Sequence, residues 1–183
     1  SILLLPAALL CPFASGHRPD VDVRDEAGIY HEQTLRRGLE EQHYDRELRI
    51  VVLSVPGAGI GNIDEATVKY AADGAQGSSW FKGSDVGSPV NGTILFVVAP
   101  ESHWVRCYAA KDLRLSADKR EAIENAAGSH YAQNDWDGGA VAMGQQLATY
   151  IGSGSGNSTM MWVVGAVLAF MAGSGWLAFY IWR

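Results

Sequence analysis

The chain has 183 residues, 48% hydrophobic and 19% charged, with a net charge of −6; that is enough for one domain with a real core plus an appendage. Its ten arginines and four lysines are scattered, so no basic face points to nucleic acid. Two cysteines, Cys11 and Cys107, form neither a CxxC pair nor a zinc spacing, and whether they pair with each other stays open at the level of sequence.

Residues 1–19 open with SILLLPAALL, an apolar run without a basic start, interrupted by Pro6 and too short to cross a bilayer. It reads as the end left by removal of a targeting peptide, or as a segment that docks on a partner. A retained part of a signal's apolar region is the alternative.

The domain proper is expected over residues 20–152. Asp20, Asp22, Asp25 and Glu26 resemble half a calcium loop, but Arg24 intrudes and the loop glycine and distal glutamate are misplaced. The run is therefore read as a solvated stretch at a helix start, where carboxylates favour the dipole. GIYHEQTLRRGLEEQHYDRE follows, with Ile29, Leu35 and Leu39 at helical spacing. LRIVVLSV is a short β-branched strand bounded by Pro56 and Gly57. The glycines from Gly57 to Gly61 imitate a dinucleotide fingerprint, but the third is misplaced and no ribose-holding acid follows the next strand, so a plain turn is expected.

NIDEATVKYAADGAQGSSW offers a helix with Asn62 at its start, and a Gly/Ser-rich loop then leads to the strand TILFVVAP. ESHWVRCYAA makes a hairpin with that strand through Pro100-Glu101-Ser102. SADKREAIENAAGSHYA is read as one helix capped by Ser116. Asn134, Asp135 and Asp137 precede Gly138 and the last helix, and capping of that helix is preferred over a cation site.

No enzyme signature emerges. His17, His31, His43, His103 and His130 show no HxxxH or HExxH spacing and read as surface or interface residues; Ser54, Ser88 and Ser116 lack a GxSxG elbow. Catalytic, metal and cofactor residues are accordingly none. Asn91-Gly92-Thr93 and Asn157-Ser158-Thr159 match the glycosylation pattern and are treated as structural. The strands are continuous apolar runs, so both sheet faces should be covered. The fold class is α/β, a small central sheet sandwiched by helices and followed by one C-terminal transmembrane helix.

That helix is placed at 160–182, after a Gly/Ser linker at 153–159. The stretch carries no charge, and at about 1.5 Å of rise per residue it outruns the ~30 Å hydrocarbon layer. Trp162 near one end, and Trp176, Tyr180 and Trp182 towards the other, suit the two headgroup zones. Gly165, Ala169 and Gly173 recur every fourth residue, a narrow face on which another helix can pack. Arg183, the only nearby cation, orients the C-terminus to the cytoplasm-like side and the domain to the opposite one.

The order of motifs resembles the TPM domain family, named for a thylakoid lumen protein, a photosystem II accessory protein and a nematode receptor modulator. Val23-Arg24-Asp25-Glu26-Ala27-Gly28 opens the resemblance, Lys82-Gly83 and Asn91-Gly92-Thr93-Ile94-Leu95 continue it, and Tyr131 with Asp135-Trp136-Asp137-Gly138 closes it. It covers about residues 20–152 and implies an α/β/α sandwich displayed at a membrane, serving assembly, repair or modulation of a larger complex. It also implies a weak acid phosphatase activity in some members. Where the family tends to place a glycine-rich turn, this chain has Tyr108-Ala109-Ala110-Lys111-Asp112-Leu113, whose alanines resist closing around a phosphate.

The expected role is thus a non-catalytic accessory subunit in a bacterial plasma, mitochondrial inner or thylakoid membrane. Its partners are the subunits of a large respiratory or photosynthetic complex and the lipid bilayer, with no nucleic acid and no cofactor. The alternatives are a membrane-tethered phosphatase or metal-dependent hydrolase using Asp25, Asp135 and Asp137, and a receptor-modulating ectodomain.

Overall fold

The computed structural model describes residues 16–58, 61–72, 80–81 and 89–152. Four strands, β1 (Asp20–Asp25), β2 (Arg49–Ser54), β3 (Thr93–Ala99) and β4 (Trp104–Ala109), form one sheet in that order. The first three run parallel, and β4 returns antiparallel to β3. The hairpin between them turns through Pro100–Ser102, as expected from the short gap. Helices α1 (Glu32–Glu40), α2 (Ile63–Ala72), α3 (Ala117–Ala126), α4 (Gly128–Tyr131) and α5 (Trp136–Ile151) complete the domain.

Alternation along the strands builds two cores. Ile50, Val52, Ile94, Phe96 and Val98 point to one face, where Leu35 and Leu39 of α1, Ile123 of α3 and Ala140, Met143 and Leu147 of α5 cover them. Val51, Leu53, Leu95 and Val97 point to the other, under Ile63 of α2 and the Trp80–Phe81 pair. Both faces of β2 and β3 are therefore buried, which is why these strands read as unbroken apolar runs. The mixed α/β architecture with helices flanking a small sheet is as the pattern predicts.

The two crossovers lie on opposite faces, α1 on one and α2 on the other, although β1, β2 and β3 step in a single direction across the sheet. Parallel crossovers that step the same way share a face when both are right-handed. One of these two therefore has the uncommon hand.

Two expectations need correction. The acidic run at Asp20–Asp25 does not start a helix; it is an edge strand in parallel register with β2. Val21 is buried and Val23 packs beside it, while Asp20 and Asp22 alternate to the other side and meet Arg49 at 3.2 and 3.6 Å. Alternation with period two decided the outcome over charge density. The stretch expected as one helix after Ser116 divides instead into α3 and α4 at Ala127, although Ser116 does cap it, its hydroxyl accepting from Lys119 N.

Each edge of the sheet is guarded by a charged side chain. The Arg36 guanidinium donates to the Val21 carbonyl on β1, and the Glu124 carboxylate accepts from Cys107 N on β4 at 2.8 Å. Bare edges template intermolecular pairing, and these contacts occupy one backbone group on each.

The segments 1–15 and 153–183 lie outside the described residues. So do Cys11, the packing face Gly165, Ala169 and Gly173, and the aromatics Trp162, Trp176, Tyr180 and Trp182. Among the described residues no helix is long and apolar enough to cross a membrane.

Candidate functional site

In open α/β sheets, ligands bind beyond the carboxyl ends of the parallel strands. At that end Asp25, the last residue of β1, meets Ser54, the last residue of β2, in register. The Ser54 hydroxyl donates to Asp25 Oδ1 at 2.6 Å and accepts from Ala27 N at 2.8 Å. The same carboxylate takes two further donors, Ile29 N at 3.1 Å and Tyr30 N at 2.8 Å. Gly28, at φ 67°, supplies the left-handed step that folds the loop back onto the carboxylate. Asp25 thus holds closed the loop that leads into α1.

The second element is the Asp135-Trp136-Asp137-Gly138-Gly139 turn. Asp135 caps α5 by accepting from Gly138 N at 3.1 Å and pairs with His130 Nδ1 at 2.7 Å. The His130 hydrogen bond, then the Gly138 N–H, holds the Asp135 carboxyl below its usual pKa. Asp137 reaches across to α1, accepting from His31 N at 3.0 Å and meeting the His31 ring at 2.9 Å. His31 precedes α1 without capping it by its own side chain, so the cap comes from another helix. Both glycines are steric necessities here. A Cβ at Gly138 would fall 2.0 Å from Asp135 Oδ2, and one at Gly139 would fall 2.0 Å from the Tyr131 ring.

Aromatic side chains pack beneath. The Trp136 ring lies 5.2 Å from that of Tyr131 and 5.5 Å from that of His103. His103 takes a left-handed backbone (φ 50°) and its Nδ1 meets the Tyr131 carbonyl at 2.9 Å. The Tyr30 hydroxyl is buried without a well-formed hydrogen bond. Burial first, then the neighbouring Tyr131 and the charges of Asp25 and Asp137, push its pKa well up.

Chemically, this end is occupied by its own structure. Asp25, Asp135 and Asp137, the three carboxylates with most promise for hydrolysis, each bind backbone N–H groups that close a turn or begin a helix. Ser54 is fully buried, with both hydrogen bonds spent. Neither His31 nor His130 is hydrogen-bonded to a Ser, Thr or Cys side chain among the described residues. Among those residues no three His, Cys, Asp or Glu side chains gather into a set that could hold a metal ion.

The histidines carried more than the sequence suggested. His31 and Asp137 are separated by 106 positions, so no local spacing announces the pair. Capping of the last helix by Asp135 is as expected. The turn after β4 takes its left-handed step at Arg114 (φ 51°), after Lys111–Leu113, and not at the alanines. Asp112 in that turn accepts from Gly92 N through both carboxylate oxygens, at 3.2 and 3.0 Å. Cys107 is buried in the core and its thiol is pushed up by desolvation.

Fold and site together define a small α/β sandwich whose carboxyl-end carboxylates bind the backbone of its own loops and helix starts. The sequence matches the family described as a domain of unknown function, DUF5129, over residues 23–183, and the chain belongs to that family. Among curated proteins none matches it. A similar solved structure is the solution NMR structure of the N-terminal domain of the cg2496 protein from Corynebacterium glutamicum. It is 18% identical, covers 86% of this chain and 93% of that one, and superposes with a TM-score of 0.44.

Proposed function

We propose that this chain is a non-catalytic accessory domain of TPM-like type, held at a membrane by the uncharged segment 160–182 and acting by presenting its surface to a larger assembly. The observation that carries the reading is the engagement of Asp25, Asp135 and Asp137 by backbone N–H groups. A carboxylate already bound to backbone N–H groups has fewer lone pairs to offer a substrate proton or a metal, and protonation weakens the bonds it makes as a charged acceptor. The absence of charge over 160–182, and the small residues Gly165, Ala169 and Gly173 at one spacing, support the anchor. An energy-transducing membrane as the location follows from the TPM resemblance alone.

One observation favours a second reading, a membrane-tethered phosphatase. The His31–Asp137 pair has the composition of a general-base dyad, and the His31 side chain is 86% exposed. Among the described residues no Ser, Thr or Cys side chain is hydrogen-bonded to the pair, so it takes second place.

Alkaline carbonate washing of native membranes, followed by mild detergent extraction and native electrophoresis, tests the proposal. Retention in the membrane and migration as part of a larger assembly are expected. Release by carbonate, or migration alone that Gly165→Leu with Gly173→Leu leaves unchanged, contradicts it.

A further inference from the structure

The end of the domain opposite Asp25 is where the chain departs for the segment 160–182. Helix α5 starts beside His31 at the carboxyl end and runs about 24 Å to the amino end. There Tyr44 is bridged on one side to His17 and on the other to Gly152, and Asp45 N donates to the Ile151 carbonyl at 2.9 Å. From Gly152 the seven positions of 153–159 reach no further than about 25 Å even when fully extended. If the segment 160–182 is embedded, the surface around Gly152 is therefore the part of the domain on the shortest tether to the bilayer.

That surface holds a cavity of about 460 Å³ between the turn after β4 and the last turn of α5. Six of its residues matter: Asp45, Arg46, Asp112, Arg114, Lys119 and Tyr150. Three cations face two carboxylates, in a chain whose net charge is −6. Both carboxylates have duties, Asp112 on Gly92 N and Asp45 on Arg46 at 2.9 Å. Arg46 also reaches the Asp112 carbonyl at 3.5 Å. Lys119 Nζ stands 5.2 Å from the centre of the Tyr150 ring.

Two of the cations sit where local rules disfavour them. Arg114 occupies a left-handed position (φ 51°) that glycine or asparagine takes with less strain. Lys119 lies in the first turn of α3, where a positive charge opposes the helix dipole. Local choices that run against the fold concentrate at functional sites. A tyrosine beside cations is also the composition of a membrane interface, where the amphipathic ring settles at headgroup level.

We propose that this cavity seats the phosphate of an anionic phospholipid headgroup, so that the domain docks on the bilayer by the end that carries Arg46, Arg114, Lys119 and Tyr150. The inference rests on the anchored reading above. Its consequence is directional: the Asp25 and Asp137 end faces away from the lipid, and any protein partner meets the domain on that side or on its flanks.

The test uses the full chain in nanodiscs, with amide hydrogen exchange read at residues 111–115 and 150–152. Slower exchange is expected with about 30% phosphatidylglycerol than with phosphatidylcholine alone, because an anionic surface attracts cations within a Debye length. The double variant Arg114→Gly with Lys119→Gln should lose that protection, by about fivefold for each cation removed. It should remain folded, since glycine suits φ 51° and the Ser116 cap uses only the backbone of residue 119. Equal exchange in the two lipids, with the chain still embedded, overturns the inference alone. Protection by inorganic phosphate in phosphatidylcholine discs that matches the effect of phosphatidylglycerol also overturns it, because the cavity then takes free phosphate. Release of the chain from vesicles by carbonate overturns the anchored reading and this inference together.

Discussion

The Asp137 carboxylate, in the first turn of α5, accepts from the backbone N–H of His31 at 3.0 Å and meets the same residue's ring at 2.9 Å, so one helix caps the start of another. Asp137→Ala should destabilise the domain by about 1–2 kcal/mol, the usual worth of a lost N-cap. Asp137→Asn keeps a side-chain oxygen for His31 N and should cost about half as much. Thermal unfolding of both variants checks the order.

Ser54 links two loops through one hydroxyl, donating to Asp25 and accepting from Ala27 N. Because Ser54 is fully buried, its removal leaves that N–H without a partner. Ser54→Ala should cost about 2–3 kcal/mol, measured by denaturant unfolding. A loss below about 0.5 kcal/mol would mean that water or a shifted loop replaces the hydroxyl.

The helical glycines of α5 should respond unequally to alanine. At Gly139 the new methyl meets the buried Tyr131 ring at 2.0 Å, and Gly139→Ala should cost about 3 kcal/mol. At Gly144 the nearest atom is the end of the Leu39 side chain at 2.6 Å, which rotates away more easily. A helix-propensity gain of about 1 kcal/mol offsets the remainder. Gly144→Ala should therefore be close to neutral, and melting temperatures of the pair decide the matter.

Glu124 carries a pH dependence with a definite sign. Burial raises its pKa above the usual 4.5, the Cys107 N–H and the guanidinium groups of Arg106 and Arg120 opposing in part. A carboxyl with a raised folded pKa stabilises the fold in acid and gives up that stability as the pH rises through its folded value. Glu124→Gln keeps an acceptor for Cys107 N without the charge. Its stability relative to the native chain should improve from about pH 4 upward and level off by neutrality. Asp135, held low by His130, acts in the opposite sense: it stabilises above its usual 3.8 and loses that contribution as the pH falls further. Unfolding curves across this range separate the two groups.

The strands β2 to β4 and the covered sheet faces are legible because they depend on local pattern: continuous apolar runs, one short turn, and helical spacing on α1 and α5. β1 is hidden because charged residues (Asp20, Asp22, Arg24 and Asp25) fill four of its six positions, so that only Val21 and Val23 carry the apolar alternation. The division of α3 from α4 is a packing outcome, with Ala127 and Tyr131 both buried against the same core. The site was legible only in its capping. Asp135 acts three residues away, within reach of a spacing argument, whereas Asp137 and His31 meet only through the packing of α1 on α5. Likewise Arg114 gives no sign in the sequence that it takes a left-handed backbone, and Glu124 none that it caps a strand edge.

Hydrolysis of a phosphomonoester by the full chain in detergent, with and without calcium or magnesium, and beside Asp137→Asn, puts the central claim to its most direct test. With the carboxyl-end carboxylates committed to holding loops and helices, the native chain should turn over no faster than buffer, and the substitution should alter only its melting. Turnover by the native chain that disappears in the folded Asp137→Asn protein would contradict the account and make that end an active site.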